Sequence, residues 1–201
     1  MTNKPIRNIL CYSHYDFDNI MRNNNWIDRL PQGISAISIC SPNEEDLAEH
    51  WFKNDYNVIG EDHNPRVFNL DIDDCAPYWF EDCESECYDK ALKLFKDNKV
   101  KLSNAYFNHL TLIDDCNIYH AFNYEEAFKL VDWIDWRIKY DDTIYIHCAA
   151  GISRSQGIVR YIIDTYGNDY NIKLNPDNPN NTYNPHVLMM LKRAYRYGNN
   201  S

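Results

Sequence analysis

Long apolar runs are missing from this chain. No stretch approaches the roughly 20 apolar residues that a membrane span needs. Met1 to Arg7 is polar, and Ile9-Leu10-Cys11 is too short to be the apolar part of a secretory leader. Clustered positive charge is missing as well: 20 Lys and Arg stand against 30 Asp and Glu, and the formal charge is -10 with no Lys/Arg-rich run. A nucleic-acid binder or an anionic-membrane binder carries a basic patch, so neither class is expected. The seven cysteines, at 11, 40, 75, 83, 87, 116 and 148, are odd in number. With no leader in view, they read as free thiols in a reducing, cytoplasmic compartment. Cys83 and Cys87, even with Cys75, Cys116 and His109, lack the spacing of a common zinc module, so no metal is expected.

What is present suits one domain. The 201 residues are 44% apolar, with sixteen tyrosines and five tryptophans to fill a core. Asn8–Tyr12, Ile34–Cys40, Arg66–Ile72, Leu110–Ile113 and Thr143–His147 read as strands, the last β-branched or aromatic throughout as a buried central strand should be. Ser13–Asn24, Tyr124–Lys139, Ser155–Tyr166 and Asn184–Tyr197 read as helices, and Ala127, Val131, Ile134 and Ile138 form the apolar stripe of the second. Ser41-Pro42-Asn43-Glu44 looks like a helix start, and Tyr88, Ala91, Leu92 and Phe95 mark another helix. Gly167 is placed to end a helix in the left-handed conformation, and Asn175–Tyr183 reads as a connector. The sum is an α/β fold, a central and mostly parallel sheet with helices on both faces.

The chemistry is concentrated in His147-Cys148-Ala149-Ala150-Gly151-Ile152-Ser153-Arg154-Ser155. A buried strand delivers Cys148 to a turn, five residues intervene, and a helix begins at Arg154. Ala149, Ala150, Gly151, Ile152 and Ser153 are small or uncharged, so their backbone N–H groups can form a ring, with Gly151 allowing the bend. The helix N-terminus adds its dipole, giving a cup of donors for one tetrahedral dianion. The same cup favours a thiolate at Cys148, which would attack phosphorus in line. Arg154 offers a bidentate fork to the phosphoryl oxygens. Ser155 can donate to the Cys148 sulfur, and His147 is suited to ordering the loop. No metal or cofactor is called for.

This nine-residue string resembles the HCxxGxxRS signature of the protein tyrosine phosphatase superfamily, and Gly-Ile-Ser-Arg-Ser resembles its dual-specificity-like branch. Ile34–Cys40 is similar to an earlier strand of small bacterial and phage phosphatases of this type, and Asn184-Pro185-His186-Val187 resembles the start of their final helix. The resemblance implies a single phosphatase-like domain over 1–201 with an insertion of about forty residues within 75–118. It implies hydrolysis of phosphate monoesters through a cysteinyl-phosphate, on phosphotyrosine and also phosphoserine or phosphothreonine of a protein or peptide.

The resemblance also implies a general acid, an aspartate on a neighbouring loop. Asp115 (beside Asp114) lies 33 residues before Cys148, a spacing like that of compact dual-specificity enzymes. Asp74 (beside Asp73) ends the cleaner strand, Val67 to Ile72, as in the bacterial and phage members. The spacing tips the choice slightly to Asp115, and both stay open. Uncharged Ala149, Ala150 and Ile152 depart from the lysine-rich loops of phosphoinositide phosphatases. Two rivals remain: a catalytically weak or inactive module that binds phosphoproteins, and a rhodanese-like or arsenate-reducing enzyme, against which the late loop and Ser155 argue.

Overall fold

The computed structural model describes residues 4–26, 30–41, 66–74, 110–113, 118–176, 178 and 182–198. In chain order the elements are β1 (Ile6–Ser13), α1 (His14–Asn23), β2 (Ile34–Cys40), β3 (Val67–Asp71), β4 (Leu110–Ile113), β5 (Ile118–Ala121), α2 (Tyr124–Tyr140), β6 (Thr143–Cys148), α3 (Arg154–Tyr166), β7 (Asn171–Leu174) and α4 (Pro185–Gly198). Five strands form one sheet in the order β3-β2-β6-β1-β7, every neighbouring pair parallel. β4 and β5 make a separate antiparallel pair. The protein is therefore α/β with a central parallel sheet.

The strand pattern explains the layering. Successive strand residues face opposite ways, so a strand buried on both sides must be apolar on both. Ile9, Cys11, Ile37, Ile39, Leu70, Ile144 and Ile146 join the core under α2, α3 and α4. Tyr12, Ala36, Val67 and Tyr145 turn the other way and pack with Phe17 and Met21 of α1. Helices thus cover both faces. The starts of α1 and α2 have a local cause. Ser13 Oγ accepts the Asp16 N–H at 3.1 Å. Asn123 and Glu126 close a reciprocal capping box, both bonds 3.0 Å, at the start of α2.

Two strands go beyond the sequence reading. β7 is a four-residue edge strand after α3, and its ladder on β1 is extended by a side chain: Asn175 Oδ1 accepts the Cys11 N–H and its Nδ2 donates to the Cys11 carbonyl, both at 3.0 Å. β5 follows β4 directly. Gly167 does end α3, but with φ -62° and ψ -17°, so the left-handed stop is corrected to a right-handed one. A Cβ there would sit 2.6 Å from the Ile163 carbonyl oxygen, so a close approach, not handedness, accounts for the glycine. The helix starts expected at Pro42 and around Tyr88, and most of the 75–118 insertion, lie outside the described residues.

The topology prepares one place on this sheet. β1 feeds α1 on one face, while β6, its neighbour, feeds α3 on the other. Where adjacent strands send their connections to opposite faces, a crevice opens outside their carboxyl ends. Ser13 and Cys148, paired in register, are the last residues of those two strands.

Candidate active site

Cys148 ends the middle strand of the sheet and is 2% exposed. Its side chain joins the core facing α3, and its sulfur lies 3.1 Å from Ser155 Oγ in the first turn of that helix. The preceding His147 faces the opposite way. Its ring stacks on Phe17 at 4.3 Å, meets the edge of His14 at 5.2 Å, and bonds Ser38 Oγ through Nε2 at 2.9 Å. His147 is thereby tied to β2 and α1, on the side of the sheet away from the sulfur. Ordering the strand end suits this placement better than acting as a base.

Three carbonyls of the loop Ala149–Ser153 are tied to neighbouring elements. The Ala149 oxygen takes the His14 N–H at 3.1 Å, the Gly151 oxygen takes Gln156 Nε2 at 3.0 Å, and the Ser153 oxygen takes the N–H groups of Gly157 and Asn184, both at 3.0 Å. Among the described residues, none of the Ala149–Ser153 amides donates to a backbone acceptor. A short loop with three carbonyls so engaged, and no described backbone acceptor for its amides, can serve as an anion cradle. Gly151 has φ +73°, and a Cβ on it would meet the Tyr12 carbonyl carbon at 2.5 Å, the Tyr12 oxygen at 2.6 Å and the Ser13 nitrogen at 2.7 Å. Only glycine satisfies both the handedness and the contact with β1.

Arg154, 2% exposed, opens α3, and its Nη1 donates to the Ile72 carbonyl at 2.7 Å. That bond spends one of the five guanidinium donors on orientation. Ser153 stands at the N-cap position of α3, yet its hydroxyl makes no cap bond and donates instead to Asp74 Oδ1 at 2.7 Å. Asp74 is exposed, just past the end of β3, and also receives Asn184 Nδ2 on the same oxygen at 2.9 Å. Asp73, behind it, is buried and accepts the Ser41 hydroxyl.

The structure therefore brings together Cys148, the whole of Ala149–Ser155 and Asp74. Asp114, Asp115 and the cysteines at 75, 83, 87 and 116 lie outside the described residues, as does His109. Cys11, which the sequence reading left without a role, adjoins the site. Its sulfur donates to the Gly151 oxygen at 3.5 Å, and burial pushes its thiol up to about 12, so it stays protonated as a donor supporting the loop. Its signal in the sequence was only its place in the first strand.

A groove of about 630 Å³ runs beside the loop. Asp16, Asn19, Ile20 and Asn23, one face of α1, line one side, and Ala150–Ile152 and Asn175 line others. It lies against the end of β1, and among the described residues its walls hold amides and one carboxylate but no Lys or Arg. No described helix is long and apolar enough to cross a membrane. No protein-family model, curated protein or solved structure matches the chain.

Proposed function

We propose that this protein is a cysteine-dependent phosphatase, similar to the dual-specificity-like branch of the protein tyrosine phosphatase superfamily, acting on phosphorylated protein or peptide. One observation carries the reading: a buried Cys148 sulfur, 3.1 Å from the Ser155 hydroxyl, at the mouth of a loop whose Ala149, Gly151 and Ser153 carbonyls are tied to neighbouring elements and which ends in a buried, anchored Arg154.

The chemistry follows from these parts. The loop amides and Arg154 hold the three non-bridging phosphoryl oxygens and follow their charge in the transition state. The Cys148 thiolate attacks phosphorus, an S–P bond forms, and the ester P–O bond breaks. Asp74 gives its proton to the leaving oxygen. A water then attacks the cysteinyl-phosphate, the Asp74 carboxylate takes the water's proton, and the S–P bond breaks to return the thiolate, with Ser155 donating to it. Inorganic phosphate leaves, and atoms and charge balance with no further reactant. Asp74 is preferred to Asp115 because its carboxylate is bonded to Ser153 of the loop itself. The groove beside Ala150–Ile152, with Asp16 its one charged lining residue, suits a peptide, whose backbone groups the Asn19, Asn23 and Asn175 amides can pair.

The test is hydrolysis of para-nitrophenyl phosphate and a phosphotyrosine peptide from pH 5 to 8, comparing wild type with Cys148→Ser, Asp74→Asn and Asp115→Asn. The expected result is activity in wild type, none in Cys148→Ser, and loss of the basic limb of the pH profile in Asp74→Asn. If that limb is lost in Asp115→Asn instead, the acid is Asp115. A wild type that binds the phosphopeptide without turnover would make the protein a recognition module and overturn the reading.

A further inference from the structure

Asn184 is fully buried at the junction of three elements. Its Oδ1 accepts two backbone N–H groups in the first turn of α4, from His186 at 2.9 Å and Val187 at 3.2 Å. Two donors on one atom identify that atom as the oxygen and fix the amide plane. Nδ2 is thereby aimed at Asp74 Oδ1, 2.9 Å away. The Asn184 backbone N–H bonds the Ser153 carbonyl of the phosphate-loop segment at 3.0 Å. The approach is built for closeness, since a Cβ on Gly157 of α3 would meet the Asn184 oxygen and Val187 Cβ at 3.0 Å.

We propose that Asn184 is the positioning residue that selects which oxygen of Asp74 carries the transferable proton. Ser153 and Asn184 both donate to Oδ1, and no described residue bonds Oδ2. An oxygen that already accepts two hydrogen bonds is the poorer proton acceptor, so the acid's proton resides on Oδ2. Asn184 also ties that carboxylate to the Ser153 carbonyl, so the acid and the cradle move as one body. This rests on the reading of Asp74 as the general acid.

The variant Asn184→Ser keeps an N-capping oxygen for α4 and removes the amide donor. Asn184→Asp is the second variant: it also keeps a cap and places an acceptor where the donor was, so it carries the same test if the serine variant folds poorly. Each is compared on a phosphotyrosine peptide, whose leaving oxygen needs the proton, and on 2,4-dinitrophenyl phosphate, whose leaving group departs without one. Loss of one hydrogen bond to a charged group predicts roughly a 10- to 100-fold fall in kcat on the peptide. The dinitrophenyl rate should stay within about twofold of wild type, and adding either variant to Asp74→Asn should lower the peptide rate no further. Equal losses on both substrates, or losses that multiply with Asp74→Asn, would overturn the role of Asn184 alone. If Asp74→Asn itself treats the two leaving groups alike, the acid assignment fails and this inference fails with it.

Discussion

Gly151→Ala separates the geometry of the phosphate loop from ordinary backbone strain. Two glycines have positive φ, Gly33 at +77° and Gly151 at +73°. An alanine in that conformation is destabilised by about 1–2 kcal/mol wherever it stands. At Gly33 the nearest atom to an added Cβ is Asp142 Oδ2 at 3.6 Å, an ordinary contact, so strain is the whole effect. At Gly151 three backbone atoms of Tyr12 and Ser13 stand within 2.7 Å, and reaching an ordinary 3.4 Å separation from the nearest moves the loop by roughly 0.9 Å. β1 resists the shift there, because Tyr12 and Ser13 are paired with His147 and Cys148 of the central strand β6. A displacement near 1 Å at the reacting geometry costs on the order of 100-fold in rate. Gly151→Ala should therefore lose about that factor in kcat/KM on para-nitrophenyl phosphate, while Gly33→Ala keeps wild-type kinetics. In urea titrations Gly33→Ala should lose about 1–2 kcal/mol and Gly151→Ala more. Wild-type kinetics in Gly151→Ala, or equal destabilisation of the two variants, would refute the reasoning.

Ser155→Ala removes the hydroxyl 3.1 Å from the Cys148 sulfur and should slow breakdown of the phosphoenzyme more than its formation. A hydrogen bond to a charged group is worth about 1.5–3 kcal/mol, so rapid-quench assays should show a product burst and a steady rate about 10-fold lower or less; no burst counts against the role. His186 is held below the ordinary histidine value by burial, against its Nε2 bond to the Phe122 oxygen at 2.8 Å, with Arg193 adding to the lowering. Because the folded value is depressed, the unfolded chain binds the extra proton as pH falls through about 6.5, so stability is full above that value and lost below it. The urea midpoint should fall between pH 7.5 and 5.5, and less steeply in His186→Gln; identical slopes would refute the assignment.

The sheet's inner strands were legible because burial on both faces leaves a dense β-branched signature, as in Thr143 to Ile146. The α2 stripe was legible for a similar reason, since Ala127, Val131, Ile134 and Ile138 all turn inward. β7 was not, because Asn171-Ile172-Lys173-Leu174 alternates over only four residues, too short a run to stand out beside the helix before it. The cradle was readable from the spacing of Cys148, Gly151 and Arg154, which is a local matter. The aspartate was not, because its place depends on β3 pairing with β2, and on Ser153 and Asn184 lying 79 and 110 residues further along the chain. Asn184 announced itself only as a helix cap; the other end of its amide answers to tertiary structure.

The position of β6 has a consequence for how the chain is made. β1 and β2 are neighbours in sequence but not in the sheet: each pairs with β6, as in Ile9 with Ile144 and Ile37 with Ile146. Until β6 has left the ribosome, β1 has no native strand partner and β2 can pair only with β3. Pairings this far apart in sequence are slow to form, and open strand edges invite association with other chains. The strand that joins β1 to the β2–β3 pair is also the one that carries Cys148, and β7 adds the edge afterwards. A nascent chain thus gains Cys148 and joins the two parts of its sheet in the same event, and truncation before Thr143 would leave an aggregation-prone fragment without the proposed nucleophile.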